Sequence, residues 1–178
     1  MIPKAIFLSL SRRAVLISLT LLFLVFNFLL NYFLPSEYAL DLKFAYTVEQ
    51  AYIAIGNLSK PDRDLYRVGI LALDFPYMFV YGMLASGLLF LVWKKPKVLL
   101  IPLGIVLFDL IENILIIHIL DSYPVEKPIM VTWASIITTC KWLLVCLLAL
   151  FLLVGTVRLY LTKNFSILQH QNSEAKEI

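Results

Sequence analysis

Four stretches of the chain are almost wholly apolar, over residues 14–34, 68–93, 98–120 and 129–157. A helix needs about 20 largely apolar residues to cross a bilayer, and each stretch is long enough. The link 35–67 is mixed in character and carries helix-start signals of its own. Thr47-x-x-Gln50 is a capping box, and the helix it opens carries Val48, Ala51, Tyr52 and Ile55 and stops at Gly56. A second start at Ser59, with Pro61 in the first turn, predicts a helix that runs without a break into the second span. The short polar link 121–128 makes spans three and four an antiparallel hairpin. No internal repeat is visible. The pattern predicts a single four-span domain over 1–163 and a polar, flexible tail over 164–178.

Composition agrees. Of 178 residues, 61% are hydrophobic and 15% charged, with a mean hydropathy of +0.89. An average soluble domain is about 45–50% apolar and about 25% charged. A disordered chain, a fibrous repeat and a disulfide scaffold are excluded, and a body this small could not hide so much apolar surface from water. Lys4, Arg12 and Arg13 before the first apolar run give it the look of a signal peptide. The run is too long for an ordinary signal core and no A-x-A-like site follows it, so it reads as a retained helix.

Charge orients the spans. Lys4, Arg12, Arg13, Lys94, Lys95, Lys97, Arg158, Lys163 and Lys176 fall on one side, opposed only by Glu174 and Glu177. The other side carries Lys43, Lys60, Arg63, Arg67 and Lys127 among more numerous acids. The positive-inside rule then puts both termini in the cytoplasm and the 35–67 link outside. The expected fold is an all-α integral-membrane four-helix bundle, N-in and C-in, with a helical extracytoplasmic segment between helices one and two. Its expected location is the plasma, inner or endoplasmic-reticulum membrane. The sequence pI near 8.8 reflects cytoplasmic anchoring. Nothing interleaves aromatic and basic residues as a nucleic-acid surface would.

The informative residues are those that are costly in lipid: Asn27 and Asn31 in span one, Asp74 in span two, Asp109, Glu112 and Asn113 in span three, and Lys141 in span four. A charge at a helix centre costs about 2.5–3.5 kcal/mol on the insertion scale, so such groups face the interior and find partners there. At about 1.5 Å per residue, Asp109 and Lys141 both lie about 17 Å from the outer ends of their spans, which permits an ion pair near the midplane. Asn27, Asp74 and Glu112 lie about 10 Å deep. The cytoplasmic half of every span is nearly free of polar groups. Asp109, Glu112 and Asn113 share one helix face, as do Asp74, Tyr77 and Tyr81; Ala134, Thr138, Lys141 and Val145 line up on span four. Pro76 removes a backbone donor and frees the carbonyl of Ala72, which predicts a kink beside Asp74. One lysine cannot balance three carboxylates. A protonated acid, an entering cation or basic ligand, or water must make up the difference.

Other chemistries find little support. Cys140 and Cys146 point to different faces of one helix and form no C-x-x-C. His118 and His170 make no paired metal box. Carboxylates suit Mg²⁺ or Ca²⁺, yet the D-x-x-E-N spacing of residues 109–113 specifies no such site, and neither metal nor cofactor is assigned. Lys60, Arg63, Tyr66 and Arg67 read as interface anchors, as do Trp93 and Trp133 at opposite surfaces. Asn57-Leu58-Ser59 is an N-glycosylation sequon on the outer side.

The span count, long first link and acidic placement resemble the four-span sterol-isomerase and sigma-2-receptor group, the EXPERA family. That resemblance is one of topology, and implies a compact bundle with acidic residues facing a small-molecule pocket. Lys141 and the D-x-x-E-N stretch have no place in its pattern, so no residue role is carried across.

Taken together, the residues predict an outward-opening intramembrane polar pocket for a small lipidic or cationic molecule. Asp74 and Glu112 are the candidate counter-ions or acid/base pair. Asp109, Asn113, Lys141, Tyr77, Tyr81, Asn27 and Thr138 are the candidate ligand contacts. Two other readings stay open: a proton- or ion-coupled transporter or channel subunit, and an accessory subunit whose polar residues bind partner helices. Membrane lipids are the expected surroundings, and a homo-oligomer or a partner membrane protein is compatible with either alternative.

Overall fold

The computed structural model describes residues 8–34 and 37–174. Lys4, Lys176 and Glu177 of the charge count lie outside them. The described chain is all-α, with four helices long and apolar enough to cross a membrane. We label the helices α1 (Arg13–Phe33), α2 (Val48–Asn57), α3 (Lys60–Trp93), α4 (Leu100–Ser122) and α5 (Pro128–Glu174).

Local chemistry explains the element ends. At the start of α2 the Thr47 hydroxyl accepts from the Gln50 amide at 3.2 Å, and the Thr47 amide donates to the Gln50 side chain at 2.9 Å. Ser59 caps α3 by accepting from the Asp62 amide at 3.3 Å, with Pro61 in the first turn. Within α3 the chain winds one π-helical turn over Ile70–Asp74, where the Phe75 amide bonds to the Ile70 carbonyl five residues back. Pro76 stands just beyond it. The helix thus meets the missing proline donor with a wider turn beside Asp74. Such turns inside α-helices are common at functional sites. Lys94 ends α3 in the left-handed region, at φ 56°, and donates its amide to the Phe90 carbonyl.

The last helix differs from expectation at its end. The apolar stretch predicts a span to 157 and a tail from 164, whereas the backbone stays helical to Glu174. Hydropathy falls after Val157, but neither Pro nor Gly follows Gly155 before Glu174, so nothing breaks the backbone pattern.

The four long helices are not equivalent. Within their apolar stretches, 44% of α3 and 33% of α4 is buried, against 6% of α1 and of α5. Leu21, Leu24 and Phe28 of α1 and Leu150 and Leu153 of α5 are exposed. Such apolar surface suits lipid. Helices α4 and α5 pack together most extensively, and α1 lies along α3. Close approach of α1 and the residues just before it to α3 depends on Gly87, where a Cβ would lie 2.8 Å from both the Leu16 Cδ2 and the Leu10 carbonyl oxygen.

The link between α1 and α3 folds over one end of the bundle, called here the link end. Leu40, Ala51, Ile55 and Tyr66 form a buried cluster with Ile116, Ile119 and Val131 from α4 and α5. Arg67 Nε lies 2.7 Å from Asp121 Oδ1, and the Arg63 guanidinium stacks 4.4 Å from the Tyr123 ring centre. Arg63 also donates to the Leu58 carbonyl at 2.5 Å. These two arginines, expected at the surface as anchors, thus tie the link to the bundle. At the opposite end a smaller cluster of Leu89, Phe90, Val98 and Leu99 closes the α3–α4 turn.

Candidate functional site

The costly residues of all four long helices meet within the bundle. Lys141 of α5 lies between two carboxylates of α4, with Nζ 2.8 Å from Asp109 Oδ1 and 2.5 Å from Glu112 Oε2. All three side chains are buried. The second oxygens of both acids are also bound: Tyr81 donates to Asp109 Oδ2 at 2.6 Å, and Thr138 donates to Glu112 Oε1 at 2.5 Å. A buried charge group stands only when paired and hydrogen-bonded in this way.

Asp74 is held differently. Asn113 donates from Nδ2 to Asp74 Oδ2 at 2.5 Å. Among the described residues, Asp74 has no ion pair. Asn113 Oδ1 is itself buried with no hydrogen-bond partner there. One turn along α3, Tyr77 accepts from Asn27 Nδ2 of α1 at 2.5 Å, and its ring meets Tyr81 edge-on at 5.2 Å. Asn27 also donates to the Phe23 carbonyl, and Asn31 donates to the Asn27 carbonyl. The chain of contacts Asn27–Tyr77–Tyr81–Asp109–Lys141 therefore runs from α1 through α3 and α4 to α5.

These groups surround a cavity of about 470 Å³. Ligand sites for small molecules usually measure about 300–1,000 Å³. Asn27, Asn31, Asp74, Tyr77, Tyr81, Asp109 and Lys141 line it. Glu112, Asn113 and Thr138, the other residues singled out from sequence, do not; each is fully buried behind the wall. They share a helix face with a lining residue, but that face is wide, and of its polar residues Asp109 and Lys141 turn into the space. Glu112 holds Lys141, Asn113 holds Asp74, and Thr138 holds Glu112.

The link adds residues that the sequence did not single out. Ala39, Asp41 and Leu42 line the link end of the cavity. The Asp41 carbonyl accepts from the Trp142 indole at 3.2 Å and from Lys141 at 3.5 Å. Its carboxylate accepts from the Tyr66 hydroxyl at 2.7 Å, and that hydroxyl accepts from the Leu40 amide at 3.0 Å. The Leu40–Leu42 turn is thereby clamped between α3 and α5 across the end where an outward opening was expected. A charged link residue ordinarily reads as solvated. The available signal was Leu-Asp-Leu, one acid between two leucines. Nearby, the Tyr46 amide donates to Ser135 at 3.0 Å, and burial raises the Tyr46 phenol above its usual pKa.

Lys141 is the one cation among the described lining residues, against Asp41, Asp74 and Asp109. Toward the opposite end the lining is apolar: Leu84, Ala85, Leu88, Ile105, Val145, Leu148 and Leu152. No group of three His, Cys, Asp or Glu residues among the described residues is placed to hold a metal ion.

No protein-family model, curated protein or solved structure matches the chain. The topological likeness drawn from span count therefore carries no family assignment.

Proposed function

We propose that the chain is a multi-pass membrane protein whose cavity holds a small molecule with a cationic head, and that Asp74 is the counter-ion. Both termini are cytoplasmic in this reading, and the link lies on the outer side, as the distribution of basic residues favours. One observation carries the reading. Lys141 is paired with both Asp109 and Glu112, while Asp74 lines the same cavity with one amide hydrogen bond and no ion pair among the described residues. A carboxylate so placed in a low-dielectric interior attracts positive charge strongly.

Tyr77 and Asn27 would orient the head. Asn113 would position Asp74, and Glu112 and Thr138 would position Lys141. Convergence of the four polar stripes inside one chain supports a binding role over an assembly role, in which they would face outward. The apolar lining beyond Lys141 disfavours a conducting path.

Binding of decylamine to the full-length protein in lipid nanodiscs tests this reading. Saturable binding is expected, with decanoate bound at least tenfold more weakly. Asp74→Asn should weaken decylamine binding about 10–100-fold, the loss expected for one charged hydrogen bond. Equal binding of decylamine and decanoate, or unchanged binding by Asp74→Asn, would contradict it.

A further inference from the structure

The cavity is divided along its length. At the link end stand Asn27, Asp74, Tyr77 and Lys141, whereas the far end is walled by Leu84, Leu88, Leu148 and Leu152 with no charged group among them. On α5, Lys141 and Leu152 are separated by about 16 Å of helix, and on α3, Asp74 and Leu88 by about 21 Å. Helices α3 and α4 form the back through Ala85, Ile105 and Asp109, and the Leu40–Leu42 turn covers the link end. Residues of α1 and α5 line the two flanks. That leaves the side between α1 and α5, the two helices with the most exposed apolar stretches.

Resting on the reading of Asp74 as counter-ion, we infer that the ligand class is a long-chain amine of the bilayer, lying along the helix axes with its head at Asp74 and its chain between Leu84/Leu88 and Leu148/Leu152. A compact cation would leave the apolar half without a partner, and a plain hydrocarbon would leave Asp74 uncompensated. A molecule with both parts satisfies the two ends at once. Its chain already resides in lipid and reaches the apolar seat sideways, between α1 and α5. An anionic head is disfavoured by three lining carboxylates against one lysine.

Photolabelling tests the orientation. The full-length protein in phosphatidylcholine vesicles is exposed to hexadecylamine carrying a diazirine at the far end of its chain, and the adducts are mapped by peptide mass spectrometry. The expected adducts fall on residues 84–88 and 145–152, and excess decylamine reduces them at least tenfold. Moving the diazirine beside the amine should shift them to residues 39–42 and Tyr77. Chain-end adducts on residues 39–42, still displaced by decylamine and lost in Asp74→Asn, overturn the orientation and leave the counter-ion reading standing. Adducts that neither decylamine nor Asp74→Asn reduces overturn both. Leu148→Trp gives a second check, because it fills the far seat without touching Asp74. It should weaken hexadecylamine binding at least fivefold and leave that of butylamine, too short to reach Leu148 from Asp74, within twofold; equal loss of both amines contradicts the axial placement.

Discussion

Lys141 and Asp74 are both ionisable groups on membrane-length helices, and both line one cavity, yet their surroundings are opposite. Around Lys141 both carboxylates are paired, and their second oxygens are bound by Tyr81 and Thr138. Around Asp74, among the described residues, a single amide donor is present and no cation is paired. A network of that kind fixes helix register, and its charged groups are already in contact with one another. A carboxylate held at one oxygen is positioned and still has capacity to bind. The contrast separates charges that hold the bundle together from the charge that we assign to binding.

The largest effect should come from breaking the closed network. Lys141→Met leaves Asp109 and Glu112 buried without a cation, and removal of one partner of a buried pair costs about 3–5 kcal/mol. Unfolding in detergent should show that loss. Adding Glu112→Gln to Lys141→Met should recover part of it, because the change removes one of the stranded charges. A Lys141→Met protein as stable as the parent would erase the contrast from one side.

Asn113→Ala comes next. It removes the donor that holds Asp74 and leaves that carboxylate less constrained, so stability should fall by about 1–3 kcal/mol. Decylamine binding should weaken several-fold even though Asn113 does not line the cavity. Unchanged binding would show that Asp74 needs no positioning. A smaller effect is expected from Tyr81→Phe, which deletes the hydrogen bond to Asp109 and keeps the ring packed on Tyr77. About 1 kcal/mol of stability should be lost, measurable in the same unfolding assay.

Much of the fold is legible in sequence because it follows from local rules. Apolar stretches of span length mark the four long helices, and Thr47-x-x-Gln50 and Ser59 with Pro61 mark the starts of α2 and α3. The site is legible in part. Charges in apolar stretches are conspicuous, so Asp74, Asp109, Glu112 and Lys141 can be singled out and assigned depths. Rotation about each helix axis is not encoded so plainly. Residues at i, i+3 and i+4 share a face, yet tertiary packing decides which of them meets the cavity, and it turns Asp109 in while keeping Glu112 and Asn113 behind the wall. Asp41 escapes notice for another reason. Its contact with Lys141 spans 100 residues of chain, and the local hint, one acid between two leucines, does not say where the link folds. The π-helical turn at Ile70–Asp74 is a related case, since Pro76 signals a disturbance but not its form.

The most direct test uses Asp74→Asn and one thermal-unfolding experiment in nanodiscs, with and without saturating decylamine. Asn can still accept from Asn113 and removes a buried charge, so the unliganded variant should unfold within about 1 kcal/mol of the parent. Decylamine should raise the midpoint of the parent, as any ligand of the folded state does, and raise that of the variant by less than half as much. If the variant instead loses stability on the scale expected for Lys141→Met, or gains as much from decylamine as the parent, Asp74 is another structural charge and the binding role assigned to it is wrong.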